Sequence, residues 1–150
     1  MKFIYKSTFF FLICLYALAA CDTTDCITFN TRVVIVEFLD SATGNNKVRE
    51  FDLITAIESP IVFYGDTSLS TYYLPVNTEK EYTSFLFLNP DQTIDTLEID
   101  YEKRIRLISK DCGYDFEFKN LGIVHTSFDS AVSMENELSR LNEENIKIFF

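Results

Sequence analysis

The chain has 150 residues and carries 13 Lys and Arg against 23 Asp and Glu, which gives a formal net charge of −10. Nucleic acids and anionic bilayers attract basic surfaces, so a chain this acidic is poorly suited to either partner. With only 4 glycines, 3 prolines and no low-complexity run, the composition also argues against a disordered stalk.

The first 20 residues have the architecture of a signal peptide. Lys2 and Lys6 supply its positive region, and residues 7–20 form an apolar run that ends in small residues. This run is shorter than the roughly 17–25 residues of a membrane-spanning helix. We expect residues 1–20 to be cleaved, which removes two lysines and leaves a formal charge of −12.

Residues 18–21, Leu-Ala-Ala-Cys, form a lipobox, the motif at which bacterial lipoprotein precursors are lipidated on cysteine and then cut. The alternatives are a transmembrane helix and an ordinary signal peptide, which would leave Cys21 as an odd thiol. The lipobox predicts lipidation of Cys21 and an anchor of at least two acyl chains, because one chain binds a membrane only marginally. The predicted location is the cell envelope, on the outer membrane by preference.

The remaining cysteines are an even pair. Cys14 leaves with the leader and Cys21 carries lipid, so Cys26 and Cys112 remain in an oxidising compartment, where disulfides persist. Two buried free thiols, or a metal site completed by other ligands, are the alternatives to a disulfide. Five residues separate Cys21 from Cys26, which places the disulfide at most about 17 Å of extended chain from the lipid.

The rest of the chain has mostly the period-two alternation of β-strands. Turns are predicted at residues 41–46, at Gly65-Asp66, and at residues 89–91 and 111–113. Strands are predicted at residues 31–40, 47–57, 60–64, 69–75, 81–88, 93–101, 105–109, 114–119 and 146–150. The second is predicted to be half-buried, with the apolar residues Val48, Phe51, Leu53 and Ile57 interrupted by charges. We predict an all-β fold, a single antiparallel β-sandwich of immunoglobulin-like or related type with eight or nine short strands. Residues 21–30 would be a lipidated tether and residues 31–150 the domain.

One segment before the C-terminus is ambiguous. Met134, Leu138 and Leu141 have helical spacing, which predicts a short amphipathic helix near residues 134–143. The alternative is a terminal hairpin in which residues 131–134 pair with residues 145–150. The β character of the surrounding chain favours the hairpin.

Candidate catalytic and metal-binding residues are few. His125 is the sole histidine, and the sequence holds no G-x-S-x-G motif, so a hydrolase built on His125 is the least favoured interpretation. Alternation places Asp95 on the strand face opposite Glu98 and Asp100, which disfavours a carboxylate pair. We assign no catalytic residue, no metal and no cofactor. Other polar candidates are Ser127, Asp129 and Ser130 beside the histidine, and Asn89 and Asp91, which with Asp95 loosely resemble a calcium loop.

Tyrosines are the remaining candidates for ligand contact. They could line a face that binds a glycan or a peptide, but tyrosine rings also pack in sandwich strands with the hydroxyl reaching water, which is the favoured interpretation. The chain contains no tryptophan. The candidates are Tyr64, Tyr72, Tyr73, Tyr82 and Tyr114.

Several short motifs together resemble a known family. They are the lipobox, the spacing of Cys21 and Cys26, the strand RVVIVEFLD at residues 32–40, the turn at residues 111–114 and the terminal NIKIFF. With these, the chain resembles the short Bacteroidota lipoproteins grouped as a domain of unknown function. The resemblance would cover nearly the whole chain, with residues 126–142 matching least, and it implies no established activity and no functional position.

These observations predict a non-enzymatic envelope lipoprotein that binds or helps assemble another envelope component. Its partners would be the membrane, through the lipid anchor, and an unidentified envelope protein, with no nucleic acid. The alternative is a ligand-binding lipoprotein for a glycan, a peptide or calcium. A hydrolase that uses His125 comes last.

Overall fold

A computed structural model describes Cys26 and residues 31–57, 59–139 and 144–150. The predicted leader and Cys21 lie outside the described residues. Within them the chain forms two packed sheets, so the predicted all-β sandwich is confirmed. The strands are β1 (Val33–Leu39), β2 (Arg49–Ala56), β3 (Val62–Leu69), β4 (Thr71–Pro75), β5 (Tyr82–Leu88), β6 (Ile94–Ser109), β7 (Gly113–Thr126), β8 (Ser130–Ser133) and β9 (Ile146–Phe149).

One sheet has the strand order β4-β1-β9-β8 and the other β3-β2-β5-β6-β7. Neighbouring strands are antiparallel except β1 and β9, which run parallel with Val36 opposite Ile146. A parallel pair needs a long crossover connection, and here the connection is the rest of the domain. Within the described part of the chain, no helix has the length and apolarity needed to cross a membrane.

The core lies between the sheets and is centred on Phe38. Its ring contacts the rings of Phe51 and Phe87 from the opposite sheet, with centroids 5.4 and 6.2 Å apart. Residues Val34, Val36 and Phe38 alternate with half-buried neighbours along β1. Edge-on aromatic pairs of this kind add to the stabilisation that burial alone gives.

The residues of β2 that reach the core differ in part from the predicted ones. Phe51 is buried as expected, but the buried side then changes to Ile54 and Ala56, whereas Val48 and Ile57 are exposed. The expected apolar residues are therefore wrong at both ends of this strand.

Two predicted breaks in the strands are wrong. The chain does not turn at Gly65-Asp66, because β3 stays paired with β2 along its length and Asp66 is accommodated with φ of 45°. The strands predicted at residues 93–101 and 105–109 are one strand, β6. Its polar middle stays extended because β7 pairs with it, with Glu102 opposite Lys119 and Arg104 opposite Glu117.

The predicted C-terminal hairpin is confirmed by the pairing of β8 with β9, in which Ala131 lies opposite Ile148. Residues 134–139 are not helical, and residues 140–143 lie outside the described part. Leu138 is fully buried, its amide donates to the Phe118 carbonyl and its own carbonyl accepts from the Thr31 amide. The segment therefore closes one end of the sandwich as extended chain.

The buried Asn145 ties this segment to β1. Its side-chain carbonyl accepts from the Ile35 amide at 2.9 Å, and its Nδ2 donates to the Glu137 carbonyl at 3.1 Å. A buried amide without such partners would be costly, so these bonds fix the position of the chain before β9.

Candidate functional site

The β6–β7 hairpin extends beyond the sandwich. Its core-facing side is buried as far as Tyr101 and Phe118, but Ile105, Leu107 and Tyr114 further along are 71%, 51% and 72% exposed. We call residues 103–118 the distal hairpin. Singly exposed apolar side chains are ordinary, but three together on one projecting element indicate a contact surface.

These apolar residues share one face of the distal hairpin. Ile105 lies directly opposite Phe116, and Leu107 lies opposite Tyr114, so the four side chains point to the same side. With Arg32 and Asp115, three of them line a shallow concavity of about 440 Å³. The face continues the core-facing side of the five-stranded sheet past the point where the other sheet covers it.

The turn of this hairpin carries the disulfide. Cys26 and Cys112 are bonded, with their Cα atoms 5.5 Å apart, as the cysteine count predicts. The Cys112 amide donates to Ser109 Oγ at 3.0 Å, and Gly113 adopts a φ of 72° that favours glycine. The N-terminal segment is thus covalently joined to the tip of the hairpin.

A second attachment lies at the base of the concavity. Arg32, just before β1, places its guanidinium 3.4 Å from Asp115 on β7. Exposed pairs of this kind contribute little stability by themselves. Together with the disulfide, the pair aligns the N-terminal segment with the distal hairpin at two points.

Charge is distributed unevenly between the hairpin and the rest of the chain. The distal hairpin has a net charge of +1, in contrast to the strongly acidic whole. Asp115 pairs with Arg32, and Glu117 pairs with Arg106 and Lys119, so cations offset these carboxylates locally. The charged residues of the distal hairpin are Lys103, Arg104, Arg106, Lys110, Asp111, Asp115 and Glu117.

A second concavity, of about 520 Å³, lies between the β2–β3 and β4–β5 connections. We call it the loop cleft. Ile61, Phe63 and Pro75 contribute apolar walls, while Lys80 and Tyr82 contribute a cation and a ring, with Lys80 Nζ 5.1 Å from the ring centroid. The cleft therefore offers apolar and polar contacts side by side, which is usual for ligand sites.

A buried hydroxyl network fixes one wall of the loop cleft. The Tyr101 hydroxyl donates to the Asn77 carbonyl at 2.7 Å and lies 2.7 Å from Thr83 Oγ1, which accepts from the Asn77 amide at 2.8 Å. Burial raises the pKa of Tyr101 above its ordinary value, so the phenol stays protonated at neutral pH and keeps donating. The connection at residues 76–81 is held in place by this network.

The structure does not assemble a triad around His125. The imidazole is exposed on β7 opposite Glu98, and among the described residues it makes no hydrogen bond to Ser127, Asp129 or Ser130. The Ser127 hydroxyl instead donates to Asp95 at 3.1 Å and accepts from the Thr96 amide. A serine engaged in this way is not aligned with the histidine as a nucleophile needs to be.

The residues that loosely resemble a calcium loop form a turn around a cation of the protein itself. The Arg49 guanidinium lies 3.2 Å from Asn89 Oδ1 and 3.6 Å from Asp95, while Asn89 Nδ2 donates to Asp95 at 2.8 Å. Asp91 accepts from the Thr93 hydroxyl and amide, which hold its pKa below the usual range. The described residues contain no cluster of three or more potential metal ligands.

The carboxylates of β6 are also separated. Asp95 makes the contacts with Arg49 and Ser127, whereas Glu98 accepts from Ser84 on β5 at 3.2 Å. The predicted separation of Asp95 from Glu98 and Asp100 by strand alternation agrees with these partners.

The five candidate tyrosines do not form one face. Tyr72 is fully buried, where its hydroxyl donates to the Arg49 carbonyl at 2.6 Å, and Tyr64 packs edge-on against it at 5.1 Å. Tyr73 is exposed on β4, Tyr82 lines the loop cleft and Tyr114 lies on the distal hairpin. Packing therefore accounts for two of them, and the other three lie on separate surfaces.

The strand pattern does not identify Ile105, Leu107 or Arg32 as surface candidates. Residues 105–109 and 114–119 have the alternation of ordinary strands of the sandwich. One signal in the sequence does mark this region: residues 103–110 contain four of the 13 Lys and Arg residues of an otherwise acidic chain. Alternation alone could not show that the opposing sheet ends before this hairpin does.

Residues 52–150 match a family model whose description is "Family of unknown function (DUF6452)". The match starts within β2 and includes the distal hairpin, Cys112 and the loop cleft. The lipobox, Cys26 and β1 lie outside it. No curated protein and no solved structure matches the chain.

Proposed function

The chain belongs to this family of unknown function, and we propose that it is a lipid-anchored lipoprotein of the cell envelope, without catalytic activity, that binds or helps assemble another envelope component. Within the envelope we place it on the outer membrane by preference. The anchor would be the diacylated Cys21 at the start of the mature chain.

The Cys26–Cys112 disulfide is the observation that carries this proposal. Disulfides persist in oxidising compartments and are rare in the cytosol, so the bond agrees with export by the predicted leader. It also lies five residues after Cys21. A lipid on Cys21 would hold the domain within about 17 Å of extended chain from the bilayer, close enough to act on neighbours in the same membrane.

Metabolic labelling with a palmitate analogue tests the anchor. We expect the wild-type protein to be labelled and Cys21→Ser to be unlabelled. Cys26→Ser is the matched control, because it removes a cysteine five residues away and leaves the lipobox intact. Labelling of Cys21→Ser, or no labelling of the wild type, would overturn the lipoprotein assignment.

The loop cleft is the surface that we assign to the partner. Its wall at residues 76–81 is held by the Tyr101 network, so little ordering is required when a ligand binds. The adjoining ring of Tyr82 and ammonium of Lys80 suit a peptide segment with an apolar and an acidic side chain.

Cross-linking in native envelopes tests the binding role. We expect a discrete protein to be captured by the wild type and lost in Tyr82→Ala with Ile61→Ser, both in the loop cleft. Tyr73→Ala with Val132→Ser is the matched control, since both residues are exposed elsewhere on the sandwich. Equal capture by both double variants would contradict the assignment of the cleft.

A ligand-binding lipoprotein is the second candidate function, supported by the mixed lining of the same cleft. If no protein is captured, thermal melting with envelope glycan fragments and short peptides decides between the two. A rise in melting temperature with one of these ligands that Tyr82→Ala abolishes would favour the ligand module.

A further inference from the structure

We propose that the distal hairpin docks on the lipid bilayer, with Ile105, Leu107 and Tyr114 in the interfacial layer and the neighbouring cations at the headgroups. This inference deepens the proposed function and rests on it for the position of the anchor. It gives the anchored protein a second, non-covalent contact with the membrane and therefore a fixed orientation.

The apolar face is the first support. Ile105, Leu107 and Tyr114 are each more than half exposed on an element that projects from the sandwich. Aliphatic side chains gain from leaving water, and tyrosine is enriched at membrane interfaces because its ring is apolar and its hydroxyl is polar. The shared face formed by the Ile105–Phe116 and Leu107–Tyr114 pairs would enter the interface together.

The cations are the second support, because they are complementary to anionic lipid. Arg104 and Arg106 alternate with the apolar residues along β6, and Lys110 lies at the turn. Arg104 pairs with Glu102 and Arg106 with Glu117 on the face opposite Ile105 and Leu107, and such exposed pairs are weak enough for both arginines to exchange a carboxylate for a lipid phosphate. Long basic side chains can keep their stems in the apolar layer with the charge at the surface.

The hairpin differs in charge from the acidic remainder of the chain. The mature chain would have a net charge of −12, while the distal hairpin alone is +1 and is flanked by Arg32 and Lys119. An anionic surface would therefore attract the hairpin and repel the rest of the domain. Beyond about 8 Å that repulsion is largely screened at physiological salt.

The disulfide is the third support, because it determines which part of the domain faces the membrane. Cys112 at the hairpin tip is bonded to Cys26, and Cys26 follows the predicted lipid-bearing residue by five positions. The exposed Tyr114 of the hairpin therefore lies two residues from the cysteine that is bonded to Cys26. A lipid surface is the partner that this arrangement presents to the exposed apolar residues of the hairpin.

Tryptophan fluorescence gives a direct test, since the natural chain has no tryptophan. The lipidated Tyr114→Trp variant is reconstituted in vesicles of phosphatidylethanolamine and phosphatidylglycerol. The anionic phosphatidylglycerol makes up about a quarter of the lipid. We expect a shift of emission to shorter wavelength and quenching by brominated lipid. Tyr73→Trp, exposed on β4 of the same anchored molecule, is the control that should show neither.

The same vesicles test the contact without the anchor. Cys21→Ser protein is unlipidated, and we expect weak binding that falls as salt rises. Replacing Leu107 by Ser should lower that binding about fivefold, because about half of this large aliphatic side chain is exposed and gains from burial in the bilayer. Arg106→Gln should lower it about fivefold. Val132→Ser, exposed on β8, should leave it unchanged.

The outcomes separate this inference from the lipoprotein assignment. If palmitate labels Cys21 but Tyr114→Trp is no more quenched than Tyr73→Trp, the hairpin does not touch the bilayer and the anchor stands. If Cys21 is not labelled, the binding of Cys21→Ser protein to vesicles still decides whether the hairpin docks. A shift in Tyr114→Trp emission that requires an added envelope protein would overturn lipid as the partner.

Discussion

Strands β6 and β7 contribute both to the sandwich core and to the distal hairpin, yet the two regions differ in what covers them. Leu97, Ile99 and Tyr101 are buried on β6, while Ile105 and Leu107 continue the same alternation on the same strand and are exposed. The opposing sheet covers the first group and does not reach the second. The apolar pattern therefore sets which residues share a face, and the tertiary partner sets whether that face is a core or a surface.

The two regions also differ in what stabilises them. Around Phe38, rings from several strands and both sheets pack together, so removing one leaves a cavity that the neighbours cannot fill. The outer part of the distal hairpin, residues 105–116, is held among the described residues mainly by its partner strand, the Arg32 ion pair and the disulfide. We expect the core to be sensitive to side-chain volume and the hairpin to the covalent link.

Loss of the disulfide is expected to have the largest effect. The bond joins residues 86 apart, and closing a loop of that size stabilises the fold by about 4–5 kcal/mol through the entropy of the unfolded chain. Cys26→Ser with Cys112→Ser should lower the free energy of unfolding in urea by up to that amount. Amide exchange should rise in the distal hairpin and β1 before it rises in β5. Unchanged protection of both segments in the double variant would contradict the separation of the two regions.

A cavity in the core should have the second largest effect on the free energy of unfolding. Phe38→Ala removes the central ring and is expected to cost about 3–5 kcal/mol of unfolding free energy. The matched substitution on the hairpin, Leu107→Ala, should lower it by about 1 kcal/mol or less, because half of the side chain is already in water. Urea denaturation of the two variants measures the difference. Similar losses for both would mean that the hairpin face is covered in solution.

The sequence allowed the sandwich, the disulfide and the C-terminal hairpin to be predicted, because each depends on information local to the residues concerned. Alternation marks strands such as residues 81–88, cysteine parity selects Cys26 and Cys112, and residues 146–149 are apolar enough to seek a partner. None of these inferences required knowledge of how the sheets lie on one another.

The wrong predictions concern segments whose structure depends on contacts with distant parts of the chain. Gly65-Asp66 has turn composition, but pairing with β2 holds it within a strand. The charged stretch at residues 102–104 looks like a break, but pairing with β7 continues β6 through it. Met134 and Leu138 have helical spacing, yet only Leu138 is buried, because it fills the end of the sandwich as extended chain. The exposed face of the distal hairpin was missed for the same reason, since its exposure depends on where another sheet ends.

The smallest expected effect on stability concerns the turn between β1 and β2. This turn is stabilised by a carboxylate, whereas the turn of the distal hairpin is stabilised by the disulfide. Asp40 lies 3.0 Å from Lys47 Nζ and accepts from the Thr43 and Ala42 amides, and these contacts lower its pKa from 3.8 to about 2. Because the pKa is lower in the folded state, the stabilisation is fully present above about pH 4 and is lost as the pH falls towards 2. The melting temperature of the wild type should fall over this window.

Asp40→Asn should reduce the fall in melting temperature at acidic pH. Lys47→Gln should reduce it in part, since Lys47 is the largest cause of the lowered pKa of Asp40. Thermal melts of the three proteins from pH 5 to about 2 make the comparison. Reductant at neutral pH should destabilise all three equally, because it acts on the other turn. If the melting temperature of Asp40→Asn changes with pH as that of the wild type does, the acid sensitivity arises elsewhere in the protein. The proposed difference between a turn stabilised by charge and a turn stabilised by a disulfide would then be wrong.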